Sequence, residues 1–374
     1  MRLLLGFPVF SLVIFLILGT LPLTPVAAEE TLLRPALESD KAKSSLLLDI
    51  TSAGERLVAV GERGHILYRD PGQDWQQAQV PVIAQLTGVD FATPQIGFAV
   101  GHEGLILRSR DAGAHWEIVH HELQAGPERA QARIPEMEER IAAAEEDATT
   151  DPDRLDDLYM QLDNLYFQAE AEEVPPLLDV LFISEQEGFA VGGYGLFLTT
   201  RDGGDTWTSL SQALPNPEAF HNNALAQDSQ GRLFIAGERG RLYVSSDGGQ
   251  TWETRNPGYS GSFFGLFTTS DQGLVVTGLR GHLFITRDAG ENWQALEHPG
   301  EQTLNGGLPL EDGRLLVVGQ NGEYLLGQPQ ALQTLSLTGR SSLVAVARQR
   351  NEIIAVGRGG FHRLTPLPAP AESR

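Results

Sequence analysis

Apolar residues in this chain come in runs too short for helices, cut by turn-forming clusters. Residues 86–120 show the pattern: LTGVDF (86–91), IGFAV (96–100), LILRS (105–109) and WEIVH (116–120), separated by ATPQ, GHEG and RDAGAH. Apolar stretches bounded by Gly, Pro, Asn and Asp predict strands joined by tight turns, here a four-stranded antiparallel meander.

The same unit recurs along the chain. Its central turn appears as AVGERG (59–64), AVGHEG (99–104), AVGGYG (190–195), IAGERG (235–240), VTGLRG (276–281), VVGQNG (317–322) and AVGRGG (355–360), seven copies in all. The first glycines are spaced by 40, 91, 45, 41, 41 and 38 residues, so one interval carries an insertion of about 50. Repeats of about 40 residues with four strands each are the signature of propeller blades. The fold class predicted is all-β: a seven-bladed β-propeller of four-stranded blades, spanning residues 29–374.

A second motif follows the third strand: YRDPGQDW (68–75), SRDAGAHW (109–116), TRDGGDTW (200–207), SSDGGQTW (245–252) and TRDAGENW (286–293). These five motifs use all five tryptophans of the chain. In this Asp box a short hydroxyl side chain and a carboxylate accept turn amides, glycine takes positive φ, and tryptophan packs the next strand. The structural positions are therefore Asp70, Trp75, Asp111, Trp116, Asp202, Trp207, Asp247, Trp252, Asp288 and Trp293. The seventh repeat lacks an outer strand, and TLLRPAL (31–37) is expected to supply it, closing the ring and removing an open edge.

Meander geometry separates the two motifs. Turns between the second and third strands share one rim with the blade-to-blade connections, while the Asp boxes lie on the opposite rim. The first rim carries Arg63, His65, Arg239, Arg241, Arg280, His282 and Arg358. Such a cluster suits carboxylates or acidic peptide segments, which guanidinium groups bind by charge-assisted, often bidentate contacts. The alternative is that these are solvated turn residues paired with Glu62 and Glu238.

The insertion, residues 126–176, leaves the same rim between blades 2 and 3. Ile134, Met137, Ile141, Ala144 and Ala148 in its first half, and Leu155, Leu158, Leu162 and Leu165 in its second, step by three and four. That spacing predicts two amphipathic helices packed as a hairpin. Asp151-Pro152 caps the second, and Pro135 is expected in the first turn of the first. The insertion holds 15 acidic residues against 4 arginines. It is either a solvated decoration or a docking arm, with Tyr159, Tyr166 and Phe167 as the residues to test.

Composition narrows the function. The chain has a formal charge of -22 over 374 residues, which excludes general nucleic-acid binding. It has no cysteine, and so no disulfide, thiolate metal site or lipid-modified cysteine. Residues 1–28 join Arg2, a long apolar stretch from Leu3 to Leu23, and Val26-Ala27-Ala28, which reads as an export signal cleaved after Ala28. An uncleaved anchor is the alternative.

AVGxxGxIL followed by TxDGGxTW resembles the Ycf48/HCF136 family of photosystem II stability and assembly factors, and more broadly the BNR/Asp-box propellers. The resemblance covers nearly all of the chain after the signal, except the insertion. It implies a non-enzymatic exported helper acting on a membrane protein or complex on the non-cytoplasmic side, in the periplasm or, in a photosynthetic host, the thylakoid lumen. Relatives in non-photosynthetic bacteria look like exported proteins associated with transporters of the RND/MMPL type. An arginine-rich face is also a feature of the family, from which this chain departs at Glu103, Tyr194 and Asn321, so an arc of positive charge is expected rather than a ring. No cofactor and no small-molecule substrate are expected, and a monomer is.

Sialidases also carry Asp boxes, which makes a sialidase-like glycoside hydrolase or a glycan-binding propeller the rival reading. Arg63, Arg239 and Arg280 imitate the sialidase arginine triad and Tyr194 its nucleophile, yet all four occupy repeat-equivalent turns, and no partnering acid stands out. His120 and His121 are neighbours in a strand and point to opposite faces, so they make no joint metal site. The VGxxG turns lead into strands rather than helices, which excludes a phosphate loop.

Overall fold

The structure, a computed structural model, describes residues 34–147, 149–170, 174–269 and 271–367; residues 1–28, read as an export signal from sequence, lie outside the described residues. Seven antiparallel sheets follow one another in chain order, six of four strands and the last of three. The first strand of each sheet is Leu47–Ala53, Leu86–Phe91, Leu177–Phe182, Asn222–Gln227, Phe263–Thr268, Leu304–Pro309 and Leu343–Gln349. Each of these packs on the next and the seventh packs on the first, so they form the inner ring of a seven-bladed propeller.

The first glycine of every VGxxG turn is required by crowding rather than by its dihedral angles. Gly61, Gly101 and Gly192 are extended, but a Cβ on them would lie 2.1–2.2 Å from Leu46 O, Gln85 O and Pro176 O of the adjoining inner strand. The second glycine is conformational: Gly64, Gly104, Gly195, Gly240, Gly281 and Gly322 all have φ between 58° and 76°. Gly101→Ala is expected to force the first two strands of blade 2 apart and lower stability by about 3 kcal/mol, read as a lower urea midpoint; a change below about 0.5 kcal/mol would refute the crowding argument.

Core side chains lie between blades. Trp116 packs with Val58 of blade 1, Trp207 with Phe98 of blade 2 and Trp252 with Phe197 of blade 3. In the Asp box of blade 2, Ser109 Oγ accepts from Gly113 N at 2.9 Å, Asp111 Oδ1 accepts from His115 N at 2.9 Å, and Trp116 Nε1 donates to Gly113 O at 3.0 Å. The same carboxylate and hydroxyl contacts recur around Asp202, Asp247 and Asp288. Asp70 differs: it takes a bidentate pair from Arg56, both bonds 2.8 Å.

Polar side chains stitch neighbouring inner strands. Asp49 accepts from Val89 N at 2.8 Å, Asp90 from Phe182 N at 2.7 Å and Asp179 from Leu225 N at 2.7 Å. Asn223 donates to Phe263 O, and Asn305 to Leu343 O. Burial raises the pKa of all three aspartates, that of Asp49 from 3.8 to about 6, against the backbone bonds that lower it. A carboxyl whose folded pKa exceeds its unfolded value holds a proton only the folded state keeps, so stability falls as pH rises from about 4 to 6, by roughly 2 kcal/mol for such a shift. The opposite sign holds for Asp202 and Asp247, lowered to about 2 by bonds from Thr206 and Thr251, whose contribution is lost only as pH falls from 3.8 toward that value. Asp49→Asn is therefore expected to lower the melting temperature more at pH 5 than at pH 7.5, a comparison from which the opposite contribution of the buried His65 cancels; an equal change at both pH values would contradict it.

The seventh blade corrects one expectation. Residues 31–33 lie outside the described residues, and residues 34–37 form no strand with blade 7. Instead Ala36 N donates to Val80 O at 2.9 Å and Gln77 Nε2 to Leu37 O at 2.9 Å, placing this segment along the outer edge of blade 1. The outer strand of blade 1, Gln76–Gln77, is short, and the Gln77 side chain, which also accepts from Ser39 N at 2.9 Å, holds the chain just before it enters the ring. A 3-10 turn at Asp40–Ser44 then packs on the third strand of blade 7, Gly360–Arg363.

Closure comes from side chains at the seam between blades 7 and 1. Trp75 stacks on Phe361 with centroids 3.7 Å apart, and Arg69 donates to Gln349 Oε1 at 2.6 Å and Glu352 Oε2 at 2.8 Å. Arg350 pairs with Glu55 at 2.9 Å.

The insertion forms the helical hairpin: α1 spans Glu122–Glu146 and α2 Pro152–Glu170. Its seam holds Ile134, Met137, Ile141, Leu158 and Leu165, with Ala144, Leu155 and Leu162 beside them; Ala148 lies outside the described residues. Asp151 Oδ1 caps α2 by accepting from Asp153 N at 3.1 Å. Helix α1 starts earlier than the pattern implied, so Pro135 is inside it rather than in its first turn, and Pro127 is inside it as well. The reason is an anchor ahead of the amphipathic stretch: Glu122, 2% exposed, takes both nitrogens of Arg129 at 2.9 and 3.0 Å and His120 Nε2 at 2.6 Å.

Candidate partner-binding rim

The turn between the second and third strands places one side chain in each of six blades in an unusual backbone conformation. Arg63, Glu103, Tyr194, Arg239, Arg280 and Asn321 occupy equivalent positions, each with φ between 51° and 61°. Side chains in the left-handed region are disfavoured by about 1 kcal/mol or more per residue. A glycine would relieve that strain, and the chain has one here only in blade 7, where Gly359 has φ 87°. Arg358 therefore precedes the strained position instead of occupying it.

The turn carboxylates are not engaged with these arginines. Glu62 Oε1 accepts from Leu46 N at 3.0 Å, and Glu238 Oε2 accepts from His221 N at 3.0 Å, so both tie the turn to the incoming inner strand. Arg63, Arg239, Arg280 and Arg358 are exposed and make no salt bridge among the described residues. Arg239 lies 5.9 Å from the centroid of Phe220.

The remaining sequence-derived positions divide. Arg241 is held by Glu218 and donates to Pro215 O at 3.1 Å, which anchors the connection between blades 3 and 4. His282 is exposed but stacked on Tyr259 at 4.3 Å, with Nδ1 2.8 Å from Leu279 O. His65 is 6% exposed, with Nδ1 3.1 Å from Ser45 Oγ, and burial lowers its pKa. An imidazole so placed reaches no partner unless the turn opens.

The hairpin stands over the same rim across blades 2 to 4. Helix α1 touches the turn His102–Gly104, Asn164 of α2 donates to Pro217 O at 2.8 Å, and Phe167 lies 5.7 Å from Tyr194. Tyr159 and Tyr166 brace the two helices through Glu145 at 2.6 Å and Glu138 at 2.7 Å. Of the three aromatics singled out from sequence, only Phe167, 57% exposed, has no hydrogen-bonding group to tie it down.

Between the hairpin and the rim is a cavity of about 490 Å³. No motif pointed to it, because its walls come from segments far apart in the chain: α1, α2 and the connection 216–221. No group of three or more His, Cys, Asp or Glu among the described residues is arranged to hold a metal, and no described helix is long and apolar enough to cross a membrane.

Seven antiparallel blades, five of them carrying Asp boxes on one rim and six presenting a strained side chain on the other, define an Asp-box propeller. By sequence, residues 69–138 and 161–330 match the family described as photosynthesis system II assembly factor YCF48, and the chain belongs to it. Among solved structures, "YCF48 bound to D1 peptide" is 16% identical with a TM-score of 0.60, covering 88% of this chain and 97% of that one. YCF48 from Cyanidioschyzon merolae is 15% identical with a TM-score of 0.57, covering 88% and 96%. The WD40 β-propeller domain of Doa1, at 11% identity and a TM-score of 0.57 over 89% and 95%, shares the fold as well. A comparison with curated proteins found no match.

Proposed function

We propose that this protein is an exported, non-enzymatic assembly or accessory factor that holds a membrane protein on the non-cytoplasmic side through its VGxxG rim. The observation that carries the reading is the set Arg63, Arg239 and Arg280, kept in left-handed turns where glycine would be easier and without a carboxylate partner among the described residues. Strain retained at equivalent surface positions points to a use for the side chains. Membership of the YCF48 family supports it, as does the relative whose solved form holds a D1 peptide. Export rests on the signal read in residues 1–28.

The test is a crosslinked pull-down from the host's membranes with the intact protein, a hairpin deletion and Arg239→Glu/Arg280→Glu. Recovery of one membrane protein by the intact chain, lost with the arginine variant, is the expected result. Recovery of nothing specific by any of the three would overturn the reading.

A further inference from the structure

We propose that the cavity under the hairpin binds a peptide segment of the partner that carries an apolar side chain beside a carboxylate. Its volume, about 490 Å³, lies within the range of formed ligand sites. One wall is apolar: Phe167, Tyr194, Leu196 and Pro217, with His221 set edge-on to Tyr194 at 5.0 Å. Phe167 and Tyr194, 5.7 Å apart, are 57% and 47% exposed, which leaves adjoining apolar surface open.

The opposite wall belongs to α1 and supplies the charge. Arg129 is neutralised by the buried Glu122, and Glu103 also lines the space. Arg133 does so without a hydrogen bond or salt bridge among the described residues. Burial, together with Arg129 and Arg140, lowers the pKa of Arg133, which only Glu136 opposes. A half-buried guanidinium in that position gains most from a carboxylate brought by a ligand. The cavity reaches the rim at the turns of blades 2 and 3, where Glu103 and Tyr194 line it. The inference rests on the rim reading only for where the partner lies.

Fluorescence polarisation of the full chain with three labelled tetrapeptides tests it: Asp-Phe-Leu-Asp, its amide twin Asn-Phe-Leu-Asn and its polar twin Asp-Ser-Ser-Asp. The acidic apolar probe is expected to bind at least tenfold more tightly than either twin. Arg133→Gln and the cavity-filling Gln168→Trp should each weaken it at least tenfold at an unchanged melting temperature. Gln250→Ala, in the Asp box on the opposite rim, should leave it within twofold. No binding of any probe, equal binding of the acidic probe and its amide twin, or binding that survives both cavity variants overturns the assignment and leaves the pull-down result standing. Intact peptide binding with membrane capture indifferent to Arg280 would overturn the rim reading instead.

Discussion

Arg69→Ala combined with Trp75→Ala is expected to open the propeller at one seam, with a loss of roughly 4 kcal/mol. Six blades carry a fourth strand and blade 7 has three among the described residues, so its outer face depends on what blade 1 supplies. That supply is a stacked indole on Phe361 and one guanidinium that bonds Gln349 and Glu352 while lying 5.1 Å from the indole. Removing both leaves Glu352 with Arg363, 3.0 Å away, as its one salt-bridge partner among the described residues, and strips the face of Phe361. Amide exchange in residues 343–363 should then accelerate selectively, ahead of global unfolding. Trp116→Ala, within the interface of blades 1 and 2, provides the contrast: it lowers stability by about 3 kcal/mol without singling out blade 7. Uniform acceleration in the seam variant would show that the closure lies elsewhere.

Reversing Arg63, Arg239 and Arg280 to Glu should weaken capture of the membrane partner at least a hundredfold, with the melting temperature changed by no more than a few degrees. Each arginine is exposed and makes no salt bridge among the described residues, so little folded-state interaction is lost. Each change swaps one side chain for another in the same left-handed turn, leaving the strain in place. At an interface the effect is larger, because three cations that attract become three anions that repel, and like charges brought together disfavour association strongly. Capture by the intact protein should fall as salt rises toward 0.5 M, where the screening length is only several ångströms. Salt-independent capture, or a variant that unfolds, would make these arginines structural.

Much of the architecture was legible because the chain states it repeatedly. A lone VGERG is ambiguous between a phosphate loop and a hairpin; seven copies at blade spacing, each followed by a strand, admit one reading. The hairpin was legible for the same reason, its seam residues stepping by three and four. What escaped was set by contacts between distant segments. Apolar character alone did not reveal that residues 34–37 lie along blade 1, since the choice depends on which edge is open nearby. Charge alone did not separate Arg241, held by Glu218, from Arg239 two residues earlier. His65 and His282 occupy the same place in the repeat, yet one is buried against Ser45 and the other stacks in the open on Tyr259. The glycines were read as turn formers, whereas the first of each pair is fixed by a carbonyl across the sheet.

The most direct test of the working face is site-specific photocrosslinking in the host's membranes, with a benzophenone amino acid at Arg63 or Arg280 on one rim and at Gln250 on the Asp-box rim. The account predicts one membrane-protein adduct from the first two positions and none from Gln250. An adduct formed equally from Gln250, or only from there, would contradict it.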